Sequence, residues 1–311
     1  MSTLYAILVD PFAQMWDNPE FLLEVVIGGL LSGVLYSLVA LGYVLIYKAS
    51  GVFNFAQGTM VLFAALTFAG CIDLHVPIWL AFIATIAVMV ALAFGVERVV
   101  LRPLVNQEQI ILFMATIGIT YFLRGLGQIV WGGNVRTLDI GLPKAPMIIG
   151  GVLVNAFDLV SAVAAGSLVA ILAVFFQKTA VGRALRAVAD DHQAALAVGI
   201  PLKTIWVIVW TTAGIVALVA GILWGTNLGV QFSIELVALK ALPVLILGGF
   251  TSVPGAIVGG LIVGAGEKVA EVFWGPAFGG AIEDWFAYML ALAFLLIRPQ
   301  GLFGERIIER V

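Results

Sequence analysis

The sequence predicts an all-α fold: a polytopic transmembrane helical bundle of about 8–10 spans, at about 20 apolar residues per crossing, with one broken or re-entrant helix. Three observations predict it. The 311 residues are 62% hydrophobic and 11% charged, where soluble domains carry about 25% charge, and the mean hydropathy is +1.14. Nine apolar stretches fill most of the chain, at residues 22–47, 58–72, 76–96, 110–131, 159–176, 204–225, 236–247, 255–273 and 285–297. One of them, 236–247, is interrupted by Lys240 and Pro243 and followed by Gly248-Gly249.

Taken in order, the elements begin with an acidic segment. Residues 1–24 carry Asp10, Asp17, Glu20 and Glu24 and no Lys or Arg, so the basic start of a cleaved signal peptide is missing and the first helix is expected to stay in the protein. Each later helix ends where turn chemistry stops it: Pro77 after Asp73, Arg102-Pro103, Pro143 and Pro146, Gly199-Ile200-Pro201, Trp274-Gly275-Pro276 and Arg298-Pro299. The interrupted stretch reads as a broken or partly re-entrant helix, tolerated where protein or water satisfies its freed backbone groups. Such helices often flank a pathway. Glycines four apart, Gly29/Gly33, Gly221/Gly225, Gly255/Gly259 and Gly260/Gly264, let helix backbones approach closely. A single domain, 1–311, is expected.

Orientation follows from the positive charges, which stay cytoplasmic. Nine crossings with the N-terminus outside place Lys48, Arg98, Arg102, Lys178, Arg183, Arg186, Lys203, Arg298, Arg306 and Arg310 inside, ten of the fifteen Lys and Arg. The outside receives Arg136, Lys144 and Lys268 beside Asp73, Asp139, Asp158, Glu283 and Asp284.

Composition also excludes functions. A formal charge of -3 without a basic stripe argues against nucleic acid. Cys71 is the only cysteine and reads as a small buried hydrophobe. His75 and His192 fall on opposite sides in this topology and make no metal pair, and no cofactor is expected. Trp79, Trp131, Trp206, Trp274 and Trp285 read as interfacial anchors.

The largest polar interruption on the inside is KTAVGRALRAVADDHQAALAVGIP, Lys178 to Pro201. Residues 184–198 have high helix propensity, with Leu185, Val188, Ala189, Ala195 and Leu196 on roughly one face, and Gly199 and Pro201 stop the helix. A helix lying on lipid headgroups or a plain connector is the bland alternative. The polar face mixes Arg186, Asp190, Asp191 and Gln193 instead of being rich in Lys and Arg, which favours docking to a protein over a membrane surface.

Gln193-Ala194-Ala195, then three residues, then Gly199, resembles the EAA loop of bacterial ABC importer permeases. More closely, the chain is similar to the branched-chain amino acid permeases of the LivH/LivM type. The similarity runs through Ala40-Leu41-Gly42, GVFNFAQG at 51–58, GRALRAVADD at 182–191, VLILGGFTSVPGAIVGG at 244–260 and RPQGLFG at 298–304. Gln193 stands where the general motif has an acid, which Asp190 and Asp191 would supply. The resemblance implies a permease domain whose 178–203 loop docks into an ATPase subunit through Arg183, Arg186, Asp190, Asp191, Gln193, Ala194, Ala195 and Gly199. It also implies a bacterial inner membrane location, a second permease chain, two cytoplasmic ATPase subunits and a periplasmic substrate-binding protein. The chain has no GxxxxGK[ST] phosphate loop, so ATP energy would come from a partner.

Candidate pathway or gate residues are fewer. Asn54 and Gln57, buried amides that need partners, either cap a helix, hold a bend or line the pathway. Thr116, Thr120 and Arg124 share a helix face. Arg124 either meets a substrate carboxylate or is paired structurally. Lys240, Pro243, Thr251 and Ser252 surround the broken segment and are read as a gate. Glu267, Lys268 and Glu271 read as a solvated or partner-facing patch near the outer helix end. Alternative functions are a urea or short-amide permease of the same family and an ion-coupled secondary transporter. The latter needs acids near the midplane, where none is evident. An intramembrane enzyme would need a nucleophile with its base or a metal cluster.

Overall fold

The structure is a computed structural model that describes residues 5, 7–104 and 107–304; Arg306 and Arg310, counted above among the inside cations, lie outside the described residues. The described chain is helical, apart from one small hairpin, and divides into two compact units. One comprises Met1–Ser37, Gly141–Gly166 and Lys240–Val311, the other Leu38–Ile140 and Ser167–Leu239.

All nine apolar stretches form helices. Five candidate spans, Pro19–Ser50, Ile78–Leu104, Gln109–Trp131, Ala156–Lys178 and Leu202–Leu228, are long and apolar enough to cross a membrane on their own. Phe232–Gly248 and Val253–Phe273 form a pair bent by 115°, and Gln57–Asp73 is a shorter apolar helix. Length and composition thus support five to six spans among the described residues, fewer than the nine stretches suggested. The reason is that Gln57–Asp73, Val237–Gly248 and Glu283–Ile297 are only 17, 12 and 15 residues long, or roughly 18–26 Å at 1.5 Å per residue.

In the second unit the central element is α3, Gln57–Asp73, following α2, Pro19–Ser50, and the short α1, Asp10–Asp17. Fourteen consecutive residues of α3, from Gln57 to Gly70, are buried. An apolar helix buried on every side is a core helix. It is walled by α4, Ile78–Val96, α5, Gln109–Trp131, and α9, Leu202–Leu228. A methyl on Gly221 of α9 would come within 2.6 Å of the Val61 carbonyl, so only glycine permits this approach. At one end of the unit Arg136 pairs with Asp73 and bridges to Val230. At the other, Trp206 Nε1 donates to the Ala49 carbonyl at 3.0 Å. Trp206 is therefore a buried tether, 6% exposed, and not the interfacial anchor expected.

The first unit is built on the same device. Its part of α2 meets α11, Val253–Phe273, at Gly33 and Gly260, where an added Cβ on Gly33 would stand 2.5 Å from the Gly260 carbonyl. The bend between α10, Val237–Gly248, and α11 falls at Gly249, φ +101, in backbone territory open to glycine. Residues 146–155 hold the one strand pair among the described residues. Strands Pro146–Ile149 and Val152–Asn155 pair antiparallel around Gly150-Gly151, both at positive φ, as two-residue hairpin turns require.

Candidate functional site

The loop from Lys178 to Pro201 belongs to the second unit. It forms two helices, α7, Ala180–Asp190, and α8, His192–Ala197, where a single helix over 184–198 was expected. Asp191 makes the break: it is extended at φ -157, and its Oδ1 accepts the N–H groups of Gln193 and Ala194 at 2.7 and 3.0 Å. An Asp that can cap the next helix competes with continuing the previous one. Thr179 caps α7 by accepting from Gly182 N–H. Gly182 lies against the preceding helix, where a Cβ would meet the Phe176 carbonyl at 1.7 Å.

Leu185, Val188 and Ala195 turn inward, while Leu196 and Val198 are 52% and 76% exposed. Leu196 therefore leaves the apolar face assigned to it, because the break at Asp191 rotates α8 out of phase with α7. Arg183, Asp190, Asp191, Gln193, Ala194 and Gly199 are exposed. Gly199 ends α8 at φ +85, and Ile200 N–H reaches back to the Ala195 carbonyl at 2.9 Å, a helix stop of the glycine type. Arg186 is occupied otherwise: its Nη1 donates to the Phe176 carbonyl at 2.8 Å and caps the end of α6, Ala156–Lys178.

The candidate pathway residues of the second unit gather at the turn before α3. Asn54 and Gln57 are fully buried. Asn54 Oδ1 accepts Ala56 N–H at 3.1 Å, and Gln57 Nε2 donates to the Ala213 carbonyl at 3.4 Å. Thr116 Oγ1 accepts Phe55 N–H at 3.2 Å and lies 2.8 Å from the Phe113 carbonyl. Tyr43 stacks on Phe53, which meets Phe55, which meets Phe113. These contacts tie the turn before α3 to α5 at Thr116 and to α9 at Ala213. Thr120 bonds its own helix at the Thr116 carbonyl. Arg124 pairs with Glu235 Oε1 at 3.0 Å.

In the first unit the gate candidates separate. Ser252 Oγ accepts Gly255 N–H at 3.0 Å and caps α11. Pro243 is buried inside α10, where it can donate no N–H to the preceding turn. Thr251 lies in the bend. Lys240 lies eight residues before Gly248, about 12 Å along the helix, and bonds Glu283 Oε1 at 3.0 Å and Asp284 Oδ1 at 2.8 Å. Glu267, expected in a solvated patch, is 3% exposed and 4.0 Å from Lys240 Nζ. Past the one-turn α12, Gly275–Phe278, Glu271 accepts the N–H groups of Ala281, Ile282 and Glu283, capping α13, Glu283–Ile297. Sequence reasoning passed over Glu235 and Glu267 as partners. The signal was available, since each lone cation in an apolar helix needs a counter-ion.

This is a multi-pass helical membrane protein in which a broken helix carries the buried Glu267 and the loop 178–201 exposes a short helix pair. A family model described as "Branched-chain amino acid transport system / permease component" matches residues 25–298, and the chain belongs to that family. It is 31% identical over 307 residues to the high-affinity branched-chain amino acid transport system permease protein BraD of Pseudomonas aeruginosa, covering 93% of this chain and 98% of that one. Identity to the corresponding LivH protein of Salmonella typhimurium is 28% over 310 residues, covering 94% and 98%. A probable LivH permease of Methanocaldococcus jannaschii is 28% identical over 295 residues, covering 89% and 91%.

Proposed function

We propose that this chain is one membrane half of an ATP-driven importer that moves branched-chain amino acids inward by alternating access, as a single permease domain, 1–311. Its partners are a second permease of the same family, two cytoplasmic ATPase subunits and a periplasmic binding protein. The energy of ATP enters through those ATPases and not through a site on this chain. The observation that carries the reading is the loop helix pair: an element capped by Thr179 and Asp191, exposing Leu196 and Val198 beside Asp190, Asp191 and Gln193, in a chain of this family.

The chain sits in the bacterial inner membrane with its N-terminus periplasmic and its C-terminus cytoplasmic. Positive charge supports this, since Arg183, Arg186 and Lys203 lie on or beside the loop. Arg183, Asp190, Asp191, Gln193, Ala194, Ala195 and Gly199 form the coupling surface, with Arg186 fixing its attachment. On the pathway side, Asn54, Gln57, Thr116 and Thr120 set the bend before α3, Arg124 is held by Glu235, and Lys240, Pro243, Thr251 and Ser252 belong to the moving broken helix.

Uptake by proteoliposomes holding this chain with its partner permease, ATPases and binding protein tests the reading. ATP-dependent leucine, isoleucine and valine import is expected. Equal leucine uptake without ATP, or ATP-dependent uptake of urea or short amides with leucine ignored, would overturn it.

A further inference from the structure

Lys240 of the broken helix stands among three carboxylates, all within the first unit: Glu283, Asp284 and, at 4.0 Å, Glu267. Three negative groups thus face one positive group. Lys240 is held by Glu283 and Asp284 at 3.0 and 2.8 Å, and reaches Glu267 Oε2 only at 4.0 Å, the outer limit of an ion pair. Glu267 is 3% exposed, and its Oε1 has no hydrogen-bond partner among the described residues. The Tyr36 hydroxyl interacts with the same carboxylate, and Lys240 Nζ lies 5.9 Å from the Tyr36 ring centroid.

A buried carboxylate oxygen takes up a donor in nearly all folded proteins, because its lost hydration is otherwise uncompensated. Within a membrane domain such a group is a functional candidate by default. Access is graded: the side chains of Asp284, Glu283, Lys240 and Glu267 are 74%, 38%, 23% and 3% exposed. A zwitterion suits this arrangement better than a simple cation. Placed between a lysine and a glutamate it adds no net charge and satisfies both.

We propose that this cluster receives the charged head of an amino acid, its α-ammonium donating to Glu267 and its α-carboxylate taking Lys240 from Glu283 and Asp284. This assignment rests on reading the chain as an amino-acid importer. No bond is made or broken; Lys240 exchanges one set of carboxylate partners for another. Because Lys240 lies on the broken helix while Glu283 and Asp284 open α13, the exchange releases that helix from α13 when substrate arrives. Glu267 Oε1 is the acceptor that the cluster leaves open among the described residues.

The test uses proteoliposomes holding the whole complex, with ATP and saturating leucine-loaded binding protein, and the variants Glu267→Gln and Glu267→Asp. For Glu267→Gln, leucine uptake is expected to fall at least tenfold, while ATP hydrolysis stimulated by the loaded binding protein stays within twofold and thermal stability is kept. Glu267→Asp should recover part of the uptake. Wild-type uptake by Glu267→Gln overturns the site, as does a joint loss of uptake, hydrolysis and stability that Glu267→Asp does not repair. A wild-type complex that imports no leucine with ATP overturns the importer reading and the site with it.

Discussion

The backbone N–H of Leu302 donates to the carbonyl of Leu247 at 2.8 Å, and the next amide, Phe303, reaches Gly248 at 3.2 Å. The segment Arg298–Gly304 thereby supplies donors for the last carbonyls of a 12-residue helix that ends at a sharp bend. The broken helix is stabilised from a distance of more than fifty residues in sequence, at the end opposite to Lys240.

Gly301 makes that docking possible. Its φ is +78, and an added Cβ would stand 2.7 Å from the Gly249 nitrogen. Gly301→Val should cost about 1–3 kcal/mol through backbone strain and the clash, and Gly301→Ala somewhat less. Thermal denaturation of the detergent-purified protein reads the ranking; equal stability of both variants with wild type would refute it.

Gly199 tests coupling instead of packing. Nothing lies within 4 Å of a Cβ built there, yet φ is +85, so the cost of substitution is conformational alone. Asparagine tolerates the left-handed region and a β-branched residue does not. Gly199→Asn should keep ATP-dependent uptake near normal. Gly199→Val should insert normally but hydrolyse ATP without matching leucine uptake, and normal coupled transport would reduce the loop to a connector.

Arg183 and Arg186 should separate. Arg186→Gln removes the charged cap on the Phe176 carbonyl and should lower stability by about 1–2 kcal/mol. Arg183→Gln, altering an exposed residue of the same helix, should leave stability unchanged and weaken co-purification with the ATPases. Melting curves and pull-downs on the two variants decide it, and reversed effects would reject the division of roles.

Arg124 and Glu235 should be coupled. Arg124→Gln leaves Glu235, whose side chain is only 16% exposed, without its counter-ion. The single variants Arg124→Gln and Glu235→Gln should each destabilise more than the pair changed together suggests, with a coupling energy of about 0.5–3 kcal/mol. Additive losses in a double-mutant cycle would place the two residues in independent roles.

Much of this was legible in the sequence. Apolar length announced the helices, and glycine spacing announced the close contacts later found at Gly33–Gly260 and Gly221–Val61. The helix stop at Gly199 could be read because glycine and proline act through their own backbones. The second helix start at Asp191 was harder, since Ala184 to Val198 is uniformly favourable to helix and only the cap breaks it. Leu196 was consequently assigned to the buried face and is exposed. Trp206 was placed at the membrane interface by its position near a helix end, but its indole is spent on the Ala49 carbonyl, 157 residues away.

By itself, the sequence determined the class of the molecule: helices in lipid, a long polar loop at 178–201, a broken segment at Lys240 and Pro243, and the family to which these belong. Such features depend on neighbours within a few residues, where periodicity and turn chemistry act. Only the tertiary structure decided which charges meet. Lys240 finds Glu283 and Asp284 more than forty residues away, Arg124 finds Glu235, and Glu267 moves from an expected solvated patch to a buried position. In an apolar medium the cost of an unpaired charge obliges each to find a partner, but the choice of partner depends on how the helices pack.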